Sequence, residues 1–90
     1  MRYVVVTDKI RGVYFGETPA KDGDTYVVLY NARICFSWAA TEGLGELVTK
    51  GPATASKIGP VMPRMCISDV ANVFDCTPEA VTRWQAAKWA

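Results

Sequence analysis

A central β-strand is predicted over residues 26–40, which read YVVLYNARICFSWAA. Side chains in a strand alternate between two faces. One set of alternating positions is entirely apolar or aromatic, so we expect that face to be buried: Tyr26, Val28, Tyr30, Ala32, Ile34, Phe36 and Trp38. The other set begins apolar and turns polar at Asn31 and Arg33. This pattern predicts an accessible face on which an amide and a guanidinium reach the same ligand.

Two shorter strands are predicted before this segment. Residues 2–7 are rich in β-branched side chains, and residues 12–17 carry the aromatic pair Tyr14–Phe15 between two glycines. Glycine within a strand usually marks a bulge or a close approach of backbone or ligand, which applies to Gly12 and Gly16. Residues 18–24 contain Pro and an Asp-Gly pair, typical of a hairpin connection. The first three strands are therefore predicted to form a meander.

The second half of the chain is predicted to be mixed. Leucine and valine at helical spacing predict a helix over residues 40–50 with Gly51 as its C-terminal cap, and prolines predict a loop over residues 51–63. A strand is expected over residues 64–67, and Thr77-Pro78-Glu79 predicts the capped start of a second helix. The fold class is thus α+β: one domain over residues 1–90, with an antiparallel sheet of about three to five strands and two helices.

Composition restricts the classes of function. The chain has 90 residues, of which 21% are charged, and its net charge of +1 argues against avid non-specific binding to nucleic acid. The N-terminal apolar run is too short for a signal peptide, and no segment approaches the ~18 apolar residues of a membrane span. The three cysteines form no Cys-x-x-Cys pair. We expect a cytoplasmic protein with reduced thiols and no membrane association.

Catalysis is not expected. The chain lacks histidine, the commonest general base and metal ligand, and its acidic residues lie mainly in predicted turns and helix ends. No serine has a plausible partner base in the sequence, and no glycine-rich phosphate loop is present. We therefore predict a non-enzyme without metal or cofactor.

Residues 67–84 resemble the helix-turn-helix of phage repressors and Cro-like regulators. In that interpretation Thr77, Glu79 and Arg83 face DNA. The turn position that usually holds glycine is Asp75, and Arg83 is the only basic residue of the run. DNA binding by this tail is therefore kept as an alternative function.

A second resemblance covers nearly the whole chain. Its motifs recur in order in a family of small phage and prophage proteins: Gly12-Val13, Gly16, Val28-Leu29, Asn31-Ala32-Arg33, Trp38, Leu44, Leu47, Gly51, Ile67, Cys76-Thr77, Ala80 and Trp89. The chain departs from the family at residues 36–40, where the family usually reads Trp-Tyr-Trp-x-Gly-Ala, and at Thr7, where it often has arginine. Because the motifs span both halves, the resemblance favours residues 64–74 as part of the same domain.

Proteins of this build resemble viral anti-defence sponges, such as the Thoeris anti-defence sponges that sequester cyclic ADP-ribose isomers and those that act against cyclic oligonucleotides. The resemblance implies a homo-oligomer that binds a nucleotide signal through aromatic faces and an arginine. The ligand-binding candidates are Tyr14, Phe15, Asn31, Arg33 and Trp38, with Arg64 or Arg11 as a second cation.

Other interpretations stay open for these residues. Trp38 and Phe36 share the predicted buried face, which favours packing over ligand stacking, and Tyr14 and Phe15 point to opposite faces, so one of them is expected in the core. A protein-binding inhibitor without a small-molecule site is the third functional alternative.

Overall fold

The structure is a computed structural model that describes residues 1–38 and 43–89. The strands are β1 (Arg2–Asp8), β2 (Val13–Thr18), β3 (Val27–Ser37), β4 (Lys57–Ile58), β5 (Met62–Ile67) and β6 (Val70–Asp75). The helices are α1 (Leu44–Thr49) and α2 (Pro78–Ala86). The α+β class with an antiparallel sheet and two helices is confirmed, although the sheet has six strands rather than three to five.

The sheet is a β1–β2–β3 meander extended on both sides. Strand β6 pairs with β1, while β5 and the short β4 pair with different parts of β3. Its outermost strands β5 and β6 are consecutive in the chain, so the residues from Ile67 to Val70 can span only about 11 Å. In a flat sheet these strands would lie about 19 Å apart, four spacings of about 4.8 Å. The sheet is therefore strongly curled, so that its outer strands β5 and β6 approach each other.

The predicted burial of the even-numbered β3 positions as one face is wrong, and a bulge at Asn31 also exchanges the sheet faces on which the two sets of positions lie. Phe15 pairs with Arg33 and Glu17 with Tyr30, so Gly16 alone lies opposite two residues of β3. Before the bulge the odd-numbered positions are inside: Val27 and Leu29 are fully buried, whereas the even-numbered Tyr26 is 58% exposed. After it, the even-numbered Ala32 lies in the same core as Val27 and Leu29, whereas Cys35 lies in the core on the opposite face of the sheet. Phe36 and Trp38, which were predicted to be buried, are exposed. The segment 39–40 lies outside the described residues.

Gly16 makes the bulge sterically possible. A Cβ atom at this position would lie 3.0 Å from the Tyr30 carbonyl oxygen and 3.1 Å from the Leu29 Cβ. The expectation of a bulge or close approach at Gly16 is thus confirmed.

Each face of the sheet has its own hydrophobic core. On the concave side lie Val4, Val6, Val27, Leu29, Ala32, Ile67 and Val70. The helices cover the other side, where the core consists of Val5, Val13, Phe15, Cys35, Leu47, Ile58, Ala80 and Trp84. The Trp84 indole is fully buried and its Nε1 donates to the Leu47 carbonyl at 2.9 Å, which joins the two helices.

The tail does not form a helix-turn-helix. Residues 62–67 and 70–75 are strands, and a single helix follows them, so this structural interpretation of residues 67–84 is wrong. The start of that helix is as predicted: the Thr77 hydroxyl accepts from the Ala80 amide at 3.1 Å, with Pro78 in the first turn.

The first helix is shorter than predicted over its described part. It spans Leu44–Thr49, and residues 40–42 of the predicted helix lie outside the described residues. Gly51 ends it in the left-handed region at φ 85° with its amide donating to the Glu46 carbonyl, as the capping prediction requires. Within the described ranges, neither helix is long and apolar enough to cross a membrane.

Candidate functional site

A small cavity of about 180 Å³ brings three of the predicted ligand-binding residues together. These are Phe15, Asn31 and Arg33, which β2 and β3 place next to the bulge. The remaining lining residues come from the first strand, the loop before β5 and the last turn of α2: Tyr3, Val61 and Gln85. Aromatic, amide and guanidinium groups therefore converge on one space.

Arg33 lies in the interior and not on an accessible face as predicted. The residue is only 6% exposed; its Nε donates to the Gly59 carbonyl and its Nη1 to the Trp84 carbonyl, both at 2.8 Å. Burial lowers the pKa of the guanidinium from its ordinary value. The carbonyl at the end of α2 carries the negative end of the helix dipole, which compensates the buried cation. With two donor nitrogens already engaged, Arg33 cannot offer the complete fork expected for a phosphate.

A chain of polar side chains forms the rim of the cavity. Asn31 Nδ2 donates to Glu17 Oε2 at 3.1 Å, and Gln85 Nε2 donates to the Tyr3 hydroxyl at 3.1 Å. Tyr3 and Glu17 face each other directly across β1 and β2. Burial, followed by the charge and hydrogen bond of Glu17, raises the pKa of Tyr3, so this phenol is neutral at physiological pH. Two hydrogen-bonded pairs, Gln85 with Tyr3 and Asn31 with Glu17, therefore lie next to each other along the rim.

Stacked rings form the wall of the cavity. Tyr3 and Phe15 are 5.7 Å apart and nearly parallel, and Phe15 stacks on Trp84 at 5.0 Å with an interplanar angle of 2°. The inner two rings are almost completely buried. This stack holds the backbone of β1, β2 and α2 in a fixed relation around the cavity.

Asn31 occupies a backbone conformation that few side chains tolerate. Its φ is 51°, in the left-handed region where asparagine is several-fold enriched over other non-glycine residues. The bulge opposite Gly16 imposes this conformation and points the side chain at Glu17 instead of continuing the strand alternation.

The other four predicted site residues lie elsewhere. Tyr14 lines a second cavity of about 210 Å³, where its hydroxyl donates to Asp8 Oδ2 at 2.8 Å. Arg11 is exposed in the β1–β2 turn, Arg64 is exposed on β5, and Trp38 is 38% exposed at the end of β3. None of these last three residues lines either cavity.

Sequence reasoning missed Tyr3, Val61, Gln85 and the hydrogen-bond partner Glu17. A signal for one contact was present: with a tight turn after Asp8, a regular β1–β2 hairpin places Tyr3 opposite Glu17. Gln85 has no comparable signal, because its contact with Tyr3 joins the two ends of the chain.

A larger groove of about 480 Å³ lies between the loop after α1 and the end of α2. Its lining is mainly apolar and small, with Arg83 and Lys88 as its charged members. It lacks the convergence of buried polar and aromatic groups that usually marks a specific small-molecule site, so the smaller cavity is the better candidate.

Hydrogen bonding and contact with the Tyr3 and Phe15 rings are the interactions that the cavity offers to a ligand. Across residues 1–38 and 43–89 there is no group of three or more cysteine or acidic side chains placed to hold a metal ion.

Comparison with known proteins gives one match. The chain fits the model of the family described as "Domain of unknown function (DUF6948)" over residues 1–84. Neither a curated protein nor a solved structure matches it significantly. Because the family model spans all six strands and most of α2, the protein belongs to the DUF6948 family.

Proposed function

We propose that the protein is a non-catalytic binder of a nucleotide-derived signal and that it acts by sequestering this ligand. The observation that carries the proposal is the convergence of Phe15, Asn31 and Arg33 on one cavity beside the Tyr3 ring. Stacked aromatics, side-chain amides and a cation are the groups with which proteins commonly hold nucleobases.

The size of the cavity suits one ring of such a ligand. At about 180 Å³ it is smaller than the 300 Å³ or more of typical drug-sized sites, so a base enters while sugar and phosphate remain outside. Val61 marks the open side, since it lines the cavity and is 56% exposed. A second protomer placed at this side would enclose the rest of the ligand, and we propose a homo-oligomer for this reason.

The chemistry of the cavity supports storage and not conversion of the ligand. Its titratable members are Tyr3, with a raised pKa, and Arg33, which remains a cation despite a lowered pKa. Neither group exchanges a proton readily near neutral pH, as a general acid or base must. The proposal therefore includes release of an unaltered ligand.

The biological setting rests on the motif resemblance to phage and prophage proteins. We propose that the protein acts in the cytoplasm of an infected or lysogenic bacterium and removes a cyclic ADP-ribose isomer or a cyclic oligonucleotide that activates anti-phage defence.

Thermal melting of the purified protein against these compounds tests the proposal. Ligand at ~100 times its Kd adds about 2.7 kcal/mol of stability, which is easily measured. A shift, followed by heat release of chemically intact ligand, is the expected result. Altered ligand would instead indicate catalysis, and no shift with any compound would contradict the proposal.

A variant that blocks the cavity tests whether the ligand-induced change in melting temperature arises from binding there. Val61→Trp places a large ring at its open side and should abolish the ligand-induced shift. Ile10→Trp is the matched control, because Ile10 is 85% exposed in the β1–β2 turn and does not line this cavity. Equal shifts in both variants would locate binding elsewhere.

An exposed aromatic surface supports a second candidate, binding to another protein. Phe36 and Trp89 are 60% and 59% exposed, and their rings lie 5.3 Å apart with Lys57 Nζ 5.6 Å from the Trp89 ring centre. Light scattering of wild type and of Phe36→Ser/Trp89→Ser distinguishes the uses of this surface. If the wild type is an oligomer and the variant is not, the Phe36–Trp89 surface serves self-association. If the wild type is a monomer, the surface is free for another protein, which favours the protein-binding inhibitor.

A further inference from the structure

We infer that Glu17, although it does not line the cavity, orients the side-chain amides of Asn31 and Gln85 so that they offer acceptor oxygen atoms to a ligand. The cavity would then select a nucleobase bearing an exocyclic amine. The inference rests on the proposed function and specifies the chemical class of the ligand. Glu17 is thus a positioning residue that acts through Asn31, Tyr3 and Gln85.

The first step is the orientation of Asn31. A carboxylate only accepts hydrogen bonds, so the contact of 3.1 Å between Asn31 and Glu17 requires the amide nitrogen to face the carboxylate. The Asn31 Oδ1 atom must then point away from Glu17. The left-handed backbone at φ 51° and the bulge hold the side chain in this position.

The second step is the orientation of the Gln85 amide, which depends on Tyr3. Tyr3 lies opposite Glu17 in the β1–β2 register, so we infer that its neutral hydroxyl turns its proton toward the carboxylate. This hydroxyl has one proton, so it can only accept from Gln85. The Gln85 Nε2 therefore faces Tyr3 at 3.1 Å, and the Oε1 atom is turned the other way.

Both amides consequently offer oxygen atoms to a ligand. Asn31 and Gln85 line the cavity, and neither amide oxygen accepts a hydrogen bond from another residue in the described part of the chain. Arg33 adds positive charge at the same cavity. The complementary ligand has N–H donors on its edge and an acceptor atom beside them.

Adenine, cytosine and guanine meet this requirement, because each carries an exocyclic amine next to a ring or carbonyl acceptor. Uracil has no exocyclic amine, and N6,N6-dimethyladenine retains the ring but has lost both donors. The cavity should therefore discriminate between adenosine and N6,N6-dimethyladenosine.

NMR titration of the ¹⁵N-labelled protein with these two nucleosides tests the inference. Wild type should bind adenosine at least tenfold more tightly. In Glu17→Gln the carboxamide both donates and accepts, so Asn31 and Tyr3 are free to reverse, and the preference should fall below about threefold. Glu79→Gln, an exposed position at the start of α2, is the control and should retain the wild-type preference.

The outcomes separate the two levels of the proposal. A tenfold preference that persists in Glu17→Gln overturns the role of Glu17 but leaves the proposed function in place. Absence of nucleoside binding to the cavity in wild type overturns both. Should Glu17→Gln fail to fold, Gln85→Leu replaces it: this exposed side chain supplies one of the two acceptor oxygens, and its loss should reduce the preference by at least threefold. An unchanged preference in that variant would overturn the inference.

Discussion

Replacement of Arg33 by methionine should strongly destabilise the fold. Methionine fills much of the same space but removes all donor nitrogens. It leaves the carbonyls of Gly59 and Trp84 without the two hydrogen bonds of 2.8 Å that now satisfy them. These carbonyls belong to the segment before β5 and to the end of α2, so each segment loses its side-chain hydrogen bond from β3, although the Gly59 amide still donates to the Ile34 carbonyl at 2.9 Å.

The magnitude follows from the nature of these contacts. A hydrogen bond that involves a charged group contributes about 1.5–3 kcal/mol. Two opposing factors reduce the sum: the Trp84 carbonyl retains a second donor in the Ala87 amide at 3.3 Å, and the variant no longer buries a cation. We expect a loss of about 3 kcal/mol, which for a domain of this size lowers Tm by about 12–24 °C.

Thermal melting and urea denaturation, both followed by circular dichroism, measure the effect. Lys21→Met is the matched control, since it also exchanges a long cationic side chain for methionine but at an exposed loop position, and its Tm should stay close to that of wild type. An Arg33→Met variant that melts within about 3 °C of wild type would refute the structural role assigned to Arg33.

Three further substitutions test the backbone and the polar contacts. Asn31→Ala should cost about 1–2 kcal/mol in urea denaturation because φ is 51°, whereas Asn31→Gly should cost less; equal losses would contradict the strain. Gly51→Ala should be far more destabilising than Gly23→Ala: both have φ near 90°, but only at Gly51 would the new Cβ lie 2.7 Å from the Arg83 Cβ. Although burial alone raises the pKa of Asp8, hydrogen bonds from the Tyr14 hydroxyl and nearby backbone amides hold it below its ordinary value of 3.8. The stability from Asp8 is therefore present above this value and is lost as pH falls through the lowered pKa; Asp8→Asn should flatten the acid limb of a Tm–pH curve, and an unchanged limb would exclude Asp8 as its source.

Local signals predicted the elements that local chemistry specifies. A β-branched run located β1, and the aromatic pair Tyr14–Phe15 between two glycines located β2. The Thr77-Pro78-Glu79 sequence located the start of α2, since a cap acts within a few residues. The pattern of residues 67–84 misled because a two-residue turn between strands and a capped helix share the polar and small residues of a helix-turn-helix.

The orientation of the central strand could not be predicted from alternation alone. One extra residue at Asn31 reverses the faces of everything after it, and only the pairing with β2 reveals the bulge. The same shift places Arg33 on the face covered by the helices, opposite to the face on which Val27 and Leu29 lie. Its acceptors lie 26 and 51 positions further along the chain, beyond the range of any local pattern.

The candidate site was predicted in part. Phe15, Asn31 and Arg33 do line one cavity, because neighbouring strands bring them together. Tyr14 lies on the opposite face of the sheet, as alternation within β2 requires. Gln85 reaches the cavity because α2 packs on the sheet. Sheet neighbours are thus accessible to sequence reasoning, whereas helix-to-sheet contacts are not.

The most direct test of the central claim is an NMR map of ligand binding. Backbone amide shifts of the ¹⁵N-labelled protein are recorded with the compound that gives the largest melting shift. Our account predicts that the perturbed amides cluster at Tyr3, Phe15, Asn31 and Gln85, around the small cavity. Perturbations confined to the groove between Ala53 and Lys88 would show that the ligand binds elsewhere and would contradict the assignment of the site.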